Sequence, residues 1–248
     1  LGRCMEDSDI IIPLAALVGF PLCDESPREA KEVNYEVNQW IAENKRDDQW
    51  VIYPCTNSGY GVSIDGSVCT EESPLNPVSL YGKTKVQAEE AYKNAKNHVT
   101  FRLATVFGPS TRMRTDLLVN NFVLKTLRER ILVLYECEFM RNYVHLQDVC
   151  RAFVHVINNW DDCKNQTYNV GNDALNMNKL QLAEKIQAHL PLEIIRAEFT
   201  SDPDVRDYIV SSDKFYSKGF ECGYNLDVGI KQLIATYSII EQPWFANY

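Results

Sequence analysis

Tyr81 and Lys85 are the residues of this sequence whose types and spacing most directly suggest catalysis. They lie four positions apart in the segment PVSLYGKTKVQAEEAY, which has the pattern of a helix start. Side chains at this spacing project from the same face of a helix. An ammonium group beside a phenol favours the phenolate and lowers the pKa of the tyrosine, as a general acid/base acting on a hydroxyl group requires. Because the spacing also occurs by chance in amphipathic helices, the neighbouring segments must show whether this pair is catalytic.

Thr56 is the third residue that could take part in this chemistry. It directly follows the apolar run WVIYPC, which we predict to be a buried strand, and it opens the segment TNSGYG. Ligands of a parallel sheet bind outside the carboxyl ends of its strands, so Thr56 is expected to lie near Tyr81. Thr56 and Ser58 are also ordinary turn formers, and on these residues alone that alternative stays open. A strand-end Thr followed 25 and 29 residues later by Tyr and Lys is a much rarer combination.

The elements that would position these residues alternate between strand and helix along the chain. The first helical pattern begins at Ser26, where S-P-R-E predicts a capping box, and the second begins near Ser79. Further helical patterns cover 116–128, 148–160, 178–190 and 226–240. Alternating strands and helices predict a parallel sheet with helices on both of its faces. The predicted buried strands are DIIIPLAA (9–16), WVIYPC (50–55), VTFRLA (99–104), ILVLY (131–135) and TYNVG (167–171).

Composition excludes several classes of function. The chain has 248 residues, of which 45% are hydrophobic and 24% charged, and its net charge is −9. A partner nucleic acid or anionic membrane surface would need a basic footprint, so neither is expected. No apolar run reaches the roughly 18 residues of a membrane span, and a cytoplasmic location is predicted. The eight cysteines form no C-x-x-C pair, so no metal site or disulfide framework is expected.

Taken in order, these motifs resemble those of the extended short-chain dehydrogenases/reductases, in particular the NAD-dependent epimerase/dehydratase family that modifies nucleotide sugars. The resemblance covers essentially the whole chain. RMRTDLLVNNF (112–122) and DPDVRDYIVS (202–211), together with two of the motifs, are further similar to bacterial enzymes that oxidise GDP-heptose at the 4-position of the sugar. The five matching motifs are DIIIPLAALVG (9–19), TNSGYG (56–61), YGKTK (81–85), FRLATVFGP (101–109) and RNYVHLQDV (141–149).

The resemblance implies an α/β fold, namely a Rossmann-type doubly wound parallel sheet with a smaller α/β substrate-binding lobe. Residues 1–110 and 143–165 would belong to a partial NAD-binding domain, and residues 111–142 and 166–248 mainly to the substrate lobe. Relatives pair through the helix that carries Tyr-x-x-x-Lys and its neighbour, so a homodimer through helices 27–44 and 80–96 is expected.

The resemblance also implies roles for single residues. Tyr81 would be the acid/base on the sugar hydroxyl, Lys85 would lower its pKa and hold the nicotinamide ribose, and Thr56 would orient the same hydroxyl. Arg141 and Arg206 would clamp the diphosphate of the substrate, although a surface ion pair is the alternative for each. The remaining cofactor-binding residues would be Leu14, Ala15, Ala16, Leu103 and Ala104, and the remaining substrate-binding residues Asn57, Ser58, Thr105 and Asn120.

Other polar residues of these segments receive a structural interpretation. Arg112 and Arg114 are predicted to lie in a solvated loop. His145 lies in a predicted strand between apolar residues, where a hydrogen-bonded structural histidine is the expected role.

The sequence departs from the family pattern in three places. Pro13 replaces the usual His of H-L-A-A, and Thr105 replaces an Asn that contacts the substrate phosphates in many relatives. The glycine-rich G-x-x-G-x-x-G loop is missing, which predicts that roughly 60 to 70 residues precede Leu1 and that the 248-residue chain alone binds no NAD.

Two hypotheses about function follow. The first is an enzyme that uses NAD to oxidise or epimerise a nucleotide-activated sugar at its 4-position. Dehydratases of the family carry Asp-Glu after the strand-end Thr, and Asn57 and Ser58 cannot replace that acid/base pair, so dehydration is disfavoured. The alternative is a truncated, non-catalytic remnant of the family that is unable to hold NAD.

Overall fold

The computed structural model describes residues 1–63, 66–197 and 206–240. Its strands are β1 (Ile10–Ile11), β2 (Trp50–Thr56), β3 (Val68–Cys69), β4 (His98–Leu103), β5 (Thr105–Phe107), β6 (Ile131–Tyr135), β7 (Met140–His145), β8 (Gln166–Val170), β9 (Asn172–Asn178), β10 (Glu193–Ala197) and β11 (Ile209–Val210). Its α-helices are α1 (Gly2–Glu6), α2 (Phe20–Glu25), α3 (Pro27–Lys31), α4 (Val37–Asn44), α5 (Leu80–Lys93), α6 (Leu118–Glu129), α7 (Leu146–Asn158), α8 (Trp160–Cys163), α9 (Lys179–Gln187), α10 (Asp213–Tyr216) and α11 (Leu226–Ile239). A π-helical turn, Glu32–Glu36, joins α3 to α4, and a 3-10 helix, Asn57–Tyr60, follows β2.

The largest described sheet has the strand order β1-β2-β4-β8, and all of its neighbouring strands are parallel. Successive residues of β2 point to opposite faces. Tyr53 packs with Ala88 and Tyr92 of α5 on one face, while Ile52 packs with Val156 of α7 on the other. The sheet is therefore covered by helices on both faces, which confirms the predicted α/β fold.

One strand prediction differs from the structure. The run predicted as a strand over 9–16 forms only β1, which ends before Pro13, a residue without the backbone N–H that would extend the ladder. The chain beyond Ile11 continues as a loop. The strand predicted over 167–171 forms β8, which pairs with β4 in the large parallel sheet.

The capping box predicted at Ser26 does not form. Ser26 joins α2 directly to α3, and its side chain accepts no capping hydrogen bond. A reciprocal capping box forms instead at the start of α9, where Asn178 accepts from the Gln181 N–H and the Gln181 side chain accepts from the Asn178 N–H.

Apart from the packing on the large sheet, the protein has a second hydrophobic core, which is built from the smaller sheets and the helices α6, α9 and α11. β7 lies between β5 and β9, and β6 pairs with β10. Alternate residues of β6, Leu132 and Leu134, are buried in a cluster shared with α6, α9 and α11. The helices α5 and α11 have 14 residues each, and no helix in the described ranges is long and apolar enough to cross a membrane.

Candidate active site

A cavity of about 630 Å³ lies at the carboxyl ends of the central strands. Thr56 from the end of β2 and Leu103 and Ala104 from the end of β4 line it, and Leu14 and Ala16 from the loop after β1 form another part of the wall. This is the edge of a parallel sheet where ligands bind, and the volume is in the range of small-molecule sites.

The structure brings Thr56, Tyr81 and Lys85 together in the wall of this cavity. The helix α5 begins at Ser79, whose Oγ accepts a hydrogen bond of 3.1 Å from the Gly82 N–H. This cap places Tyr81 in the first turn of α5 and Lys85 one turn later.

Thr56 also has the turn-forming role that the sequence left open. Its Oγ1 accepts a hydrogen bond of 3.1 Å from the Ser58 N–H and caps the 3-10 helix, and its hydroxyl lies 3.1 Å from Ser58 Oγ. The same side chain lines the cavity. The two roles are therefore compatible, because the cap holds the hydroxyl at the cavity wall.

Lys85 is buried without an opposite charge. Only 3% of the residue is exposed, and its Nζ lies 4.3 Å from the centre of the Tyr53 ring. Within the described ranges its ammonium group makes no hydrogen bond or ion pair. Burial therefore disfavours the charged form and lowers the pKa of Lys85 to about 8. A buried amine of this kind lacks the hydroxyl or carboxylate partners that it needs, and the cavity is where a ligand could supply them.

The pKa of Tyr81 differs from the sequence-based prediction. It is raised above its ordinary value, because burial disfavours the phenolate more strongly than the surrounding cations favour it. The cations that act in the opposite direction are Arg114 and Arg206, not Lys85. The prediction that Lys85 lowers this pKa is thus wrong for the protein by itself, where Tyr81 holds its proton at neutral pH.

The remaining charges of the cavity are mostly positive. Arg206 Nη1 donates a hydrogen bond of 2.8 Å to Ser58 Oγ, and the Arg141 guanidinium lies 6.0 Å from the centre of the Tyr208 ring. In a chain of net charge −9, this cavity concentrates positive charge and so favours an anionic ligand. The charged residues that line it are the cations Lys85, Arg114, Arg141, Lys179 and Arg206 and the acid Asp116.

Several predicted site residues do not reach the cavity surface. Asn57 is 1% exposed and is absent from the cavity wall, and Ala15 is exposed outside it. Asn120 is also buried, and its side chain accepts a hydrogen bond from the Gly108 N–H and donates one to the Arg114 carbonyl. These placements give no support to the substrate contacts predicted for Asn57 and Asn120 or to the cofactor contact predicted for Ala15. Ser58 and Thr105 do line the cavity.

The prediction that Arg114 is solvated is wrong. Arg114 lines the cavity and forms a bidentate ion pair with Asp116, so its side chain is held in place. Lys179, at the start of α9, was not predicted, since its position depends on how the second core packs. Residues 202–205 of the segment DPDVRDYIVS lie outside the described residues.

The structural role predicted for His145 is confirmed. Its Nδ1 accepts from the Gln147 N–H at the start of α7, so the proton is on Nε2, which lies 2.8 Å from Gln232 Oε1. The ring also stacks on Tyr224, at 4.6 Å between centroids. His145 is not part of the cavity wall.

The family model described as "NAD dependent epimerase/dehydratase family" matches residues 2–171. The chain therefore belongs to this family, whose cofactor is NAD.

Solved structures support the same fold. The UDP-glucose 4-epimerase of Thermotoga maritima, with UDP-glucose, is 20% identical, with 96% of this chain and 81% of that chain covered and a TM-score of 0.80. The UDP-glucuronic acid 4-epimerase of Bacillus cereus, with UDP-glucuronic acid and NAD, is 20% identical, with coverage of 96% and 77% and a TM-score of 0.79. The dTDP-glucose 4,6-dehydratase of Bacillus anthracis, with NAD, is 20% identical, with coverage of 98% and 77% and a TM-score of 0.78.

The cavity fits the nicotinamide end of this cofactor. The buried amine of Lys85, which has no hydrogen-bond partner among the described residues, has the chemistry to bind ribose hydroxyls, and the apolar wall at Leu103 and Ala104 has the chemistry to contact the ring. The sequence contains no glycine loop of the G-x-x-G-x-x-G form for the pyrophosphate.

Proposed function

We propose that this protein oxidises or epimerises a nucleotide-activated sugar at its 4-position. The observation that carries the proposal is the meeting of Thr56, Tyr81 and Lys85 in one cavity whose other charged groups are mostly cations. NAD, when bound, supplies the acceptor for the hydride that leaves the sugar carbon. The groups that hold and move the proton belong to the chain.

In the proposed mechanism, Tyr81 exchanges the proton of the reacting sugar hydroxyl. Burial keeps its phenol protonated, so the phenolate forms only when positive charge is close. Arg114 and Arg206 already act in this direction, and in the proposed mechanism Lys85, one turn along α5, adds its charge when the cavity is filled. Thr56, held by its cap on the Ser58 N–H, orients the same hydroxyl. Removal of the hydroxyl proton and of the hydride from carbon 4 together gives a ketone. An epimerase returns the hydride to the opposite face of carbon 4 and the proton to its oxygen, whereas a dehydrogenase releases the keto sugar.

The residues after Thr56 support oxidation or epimerisation rather than dehydration. Elimination of water requires a group that takes one proton and gives another. Ser58, the polar side chain that lines the cavity there, does not ionise at neutral pH, and Asn57 is buried away from the cavity. The likeness of several segments to bacterial GDP-heptose enzymes makes GDP-heptose the first substrate to test.

The proposed function is tested by incubating the full-length protein with GDP-, UDP- and dTDP-linked sugars. Formation of reduced nicotinamide, followed by its absorbance, or of the 4-epimer, followed by NMR, is the expected result for at least one sugar. If only loss of water were observed, the assignment to oxidation or epimerisation would be wrong.

The cations of the cavity lead to a prediction about substrate binding. Replacing Arg141 or Arg206 by Ala is expected to weaken binding of the nucleotide sugar by roughly 1.5 to 3 kcal/mol each, the range for a hydrogen bond to a charged group. Isothermal titration calorimetry would measure the affinity. Arg112→Ala is the matched control, because this exposed arginine is not part of the cavity wall. Unchanged affinity in both cavity variants would place the diphosphate elsewhere.

We further propose that the protein is a homodimer through the helices 27–44 and 80–96. A groove of about 540 Å³ between them is lined by the small residues Ala42 and Ala91 and by polar residues that include Glu43 and Glu90. Ala91→Arg is expected to convert the dimer to a monomer, because its long side chain would fill the groove that the partner has to enter. Light scattering coupled to size-exclusion chromatography would measure the mass. A wild-type monomer would contradict the proposal.

A further inference from the structure

Arg102 is the centre of a buried polar network behind the cavity. It lies in β4 directly before Leu103, with its side chain 3% exposed. Its Nε and Nη2 donate to the two carboxylate oxygens of Glu89, at 3.1 and 2.6 Å. Its Nη1 donates to the Tyr60 hydroxyl at 2.9 Å and to the Glu71 carbonyl at 3.1 Å. All three nitrogens of the guanidinium group are therefore used, and Arg102 is not part of the cavity wall.

The partners of Arg102 belong to the two segments that carry the candidate catalytic residues. Glu89 lies on α5 one turn after Lys85, and its side chain is completely buried. Tyr60 ends the 3-10 helix that Thr56 caps, and its hydroxyl lies 2.6 Å from Asn169 Oδ1 of β8. One guanidinium group thus joins α5, the segment after β2, β4 and β8.

From this arrangement we propose that Arg102 is a positioning residue, which holds Lys85 through Glu89 and Thr56 through Tyr60. The inference rests on the proposed function for the roles of Lys85 and Thr56. A planar, bidentate guanidinium fixes both distance and angle, which the flexible ammonium of a lysine cannot do. Displacement of catalytic groups by about 1 Å can lower a rate by up to about 100-fold.

Arg102 also pairs with the carboxylate of Glu89, which lies one turn along α5 from Lys85. The thiol of Cys55 donates to the Lys85 carbonyl at 3.5 Å, and the charge of Glu89 contributes to raising the pKa of this thiol, after burial. The charge of Glu89 therefore acts on the Cys55 thiol, which contacts the backbone of Lys85. The titratable and charged groups near the cavity end of α5 are Cys23 of α2, Tyr53 and Cys55 of β2, Tyr81 and Glu89 of α5, Arg102 of β4, and Arg114 and Arg206 across the cavity.

Two variants separate positioning from simple support of the fold. Arg102→Lys keeps a positive charge but cannot make both the bidentate pair and the Tyr60 contact. Tyr60→Phe keeps the pair with Glu89 and removes the arm toward Thr56, together with the hydrogen bonds of the Tyr60 hydroxyl to the Thr70 carbonyl and Asn169. Lys93→Met is the control, because Lys93 contacts the same Glu89 carboxylate at 3.5 Å from a position that is 41% exposed. We expect kcat to fall about 10- to 100-fold in Arg102→Lys and about 3- to 10-fold in Tyr60→Phe, with KM within about twofold.

A second readout does not depend on the substrate. Acetic anhydride labelling of Lys85, followed by mass spectrometry over a pH series, measures the pH at which its amine becomes reactive. We expect this midpoint to rise by about 0.5 to 1 in Arg102→Lys, because Glu89 is less completely neutralised, and to stay unchanged in Lys93→Met.

The outcomes distinguish the two proposals. If no nucleotide sugar reacts with the wild type, the labelling experiment alone decides whether Arg102 acts on Lys85. If Arg102→Lys does not fold, Tyr60→Phe decides through its kcat. Positioning by Arg102 is excluded if the folded variants keep kcat within twofold and the Lys85 midpoint does not move, or if Lys93→Met has equal effects.

Discussion

Replacing Tyr81 by Phe is expected to lower oxidation of the nucleotide sugar at least ~100-fold while leaving the fold intact, because only the path of the proton is lost. Within the described residues the Tyr81 hydroxyl makes no hydrogen bond, so its removal should change the free energy of unfolding by about 0.5 kcal/mol or less. Stopped-flow absorbance of reduced nicotinamide measures the rate, and thermal unfolding measures the stability.

Tyr92→Phe provides the matched control on the same helix. The Tyr92 hydroxyl donates a hydrogen bond of 2.9 Å to Asn38 Oδ1 on α4, far from the cavity wall. Its loss should cost about 1 kcal/mol of stability and leave the rate unchanged. Near wild-type turnover in Tyr81→Phe would remove this residue from the mechanism.

The second large effect is expected for Lys85→Met, which should abolish turnover and yet stabilise the protein. A methionine fills similar space but neither supplies positive charge to Tyr81 nor binds a ribose hydroxyl, so the rate should fall at least ~100-fold. Lowering the pKa of a buried lysine from 10.5 to about 8 corresponds to roughly 3 kcal/mol of destabilisation at neutral pH. Met does not have this cost.

The sign of the effect on stability can be checked by pH. The folded protein binds the Lys85 proton more weakly than the unfolded chain, so the wild type gains stability as the pH rises from about 8 toward 10.5. The advantage of Lys85→Met should therefore be largest below pH 8 and decrease above it. Urea unfolding of both proteins between about pH 7 and 10 tests this. A difference that is independent of pH would mean that Lys85 is not a desolvated ammonium.

The sequence predicts the residues whose positions follow from local structure. Thr56 ends a strand and Tyr81 starts a helix, and the carboxyl edge of a parallel sheet brings such positions together whatever the details of packing. The helices around 118–129 and 146–158 could be predicted from local pattern as well, because their apolar residues have a clear helical period.

The properties that depend on three-dimensional packing could not be predicted. The buried environment of Tyr81 raises its pKa, although the spacing to Lys85 alone suggests the opposite. Asn57 follows Thr56 directly, yet it is buried and does not line the cavity. Arg114 is two residues from Asp116 in an irregular loop, and no periodic pattern indicates that this pair faces the site. Lys179 reaches the cavity only because α9 packs against the second core.

Transfer of deuterium from carbon 4 of the sugar tests the central claim most directly. The full-length protein is incubated with NAD and a 4-deuterated nucleotide sugar, beginning with GDP-heptose, and the nicotinamide is analysed by mass spectrometry. For oxidation, the proposed function predicts reduced cofactor that carries the deuterium in the wild type, and for epimerisation it predicts a 4-epimer that keeps the deuterium on carbon 4. Either product should be lost in Tyr81→Phe. Reduced cofactor without deuterium, or equal transfer in Tyr81→Phe, would contradict the proposal that Tyr81, Lys85 and Thr56 act on the 4-hydroxyl.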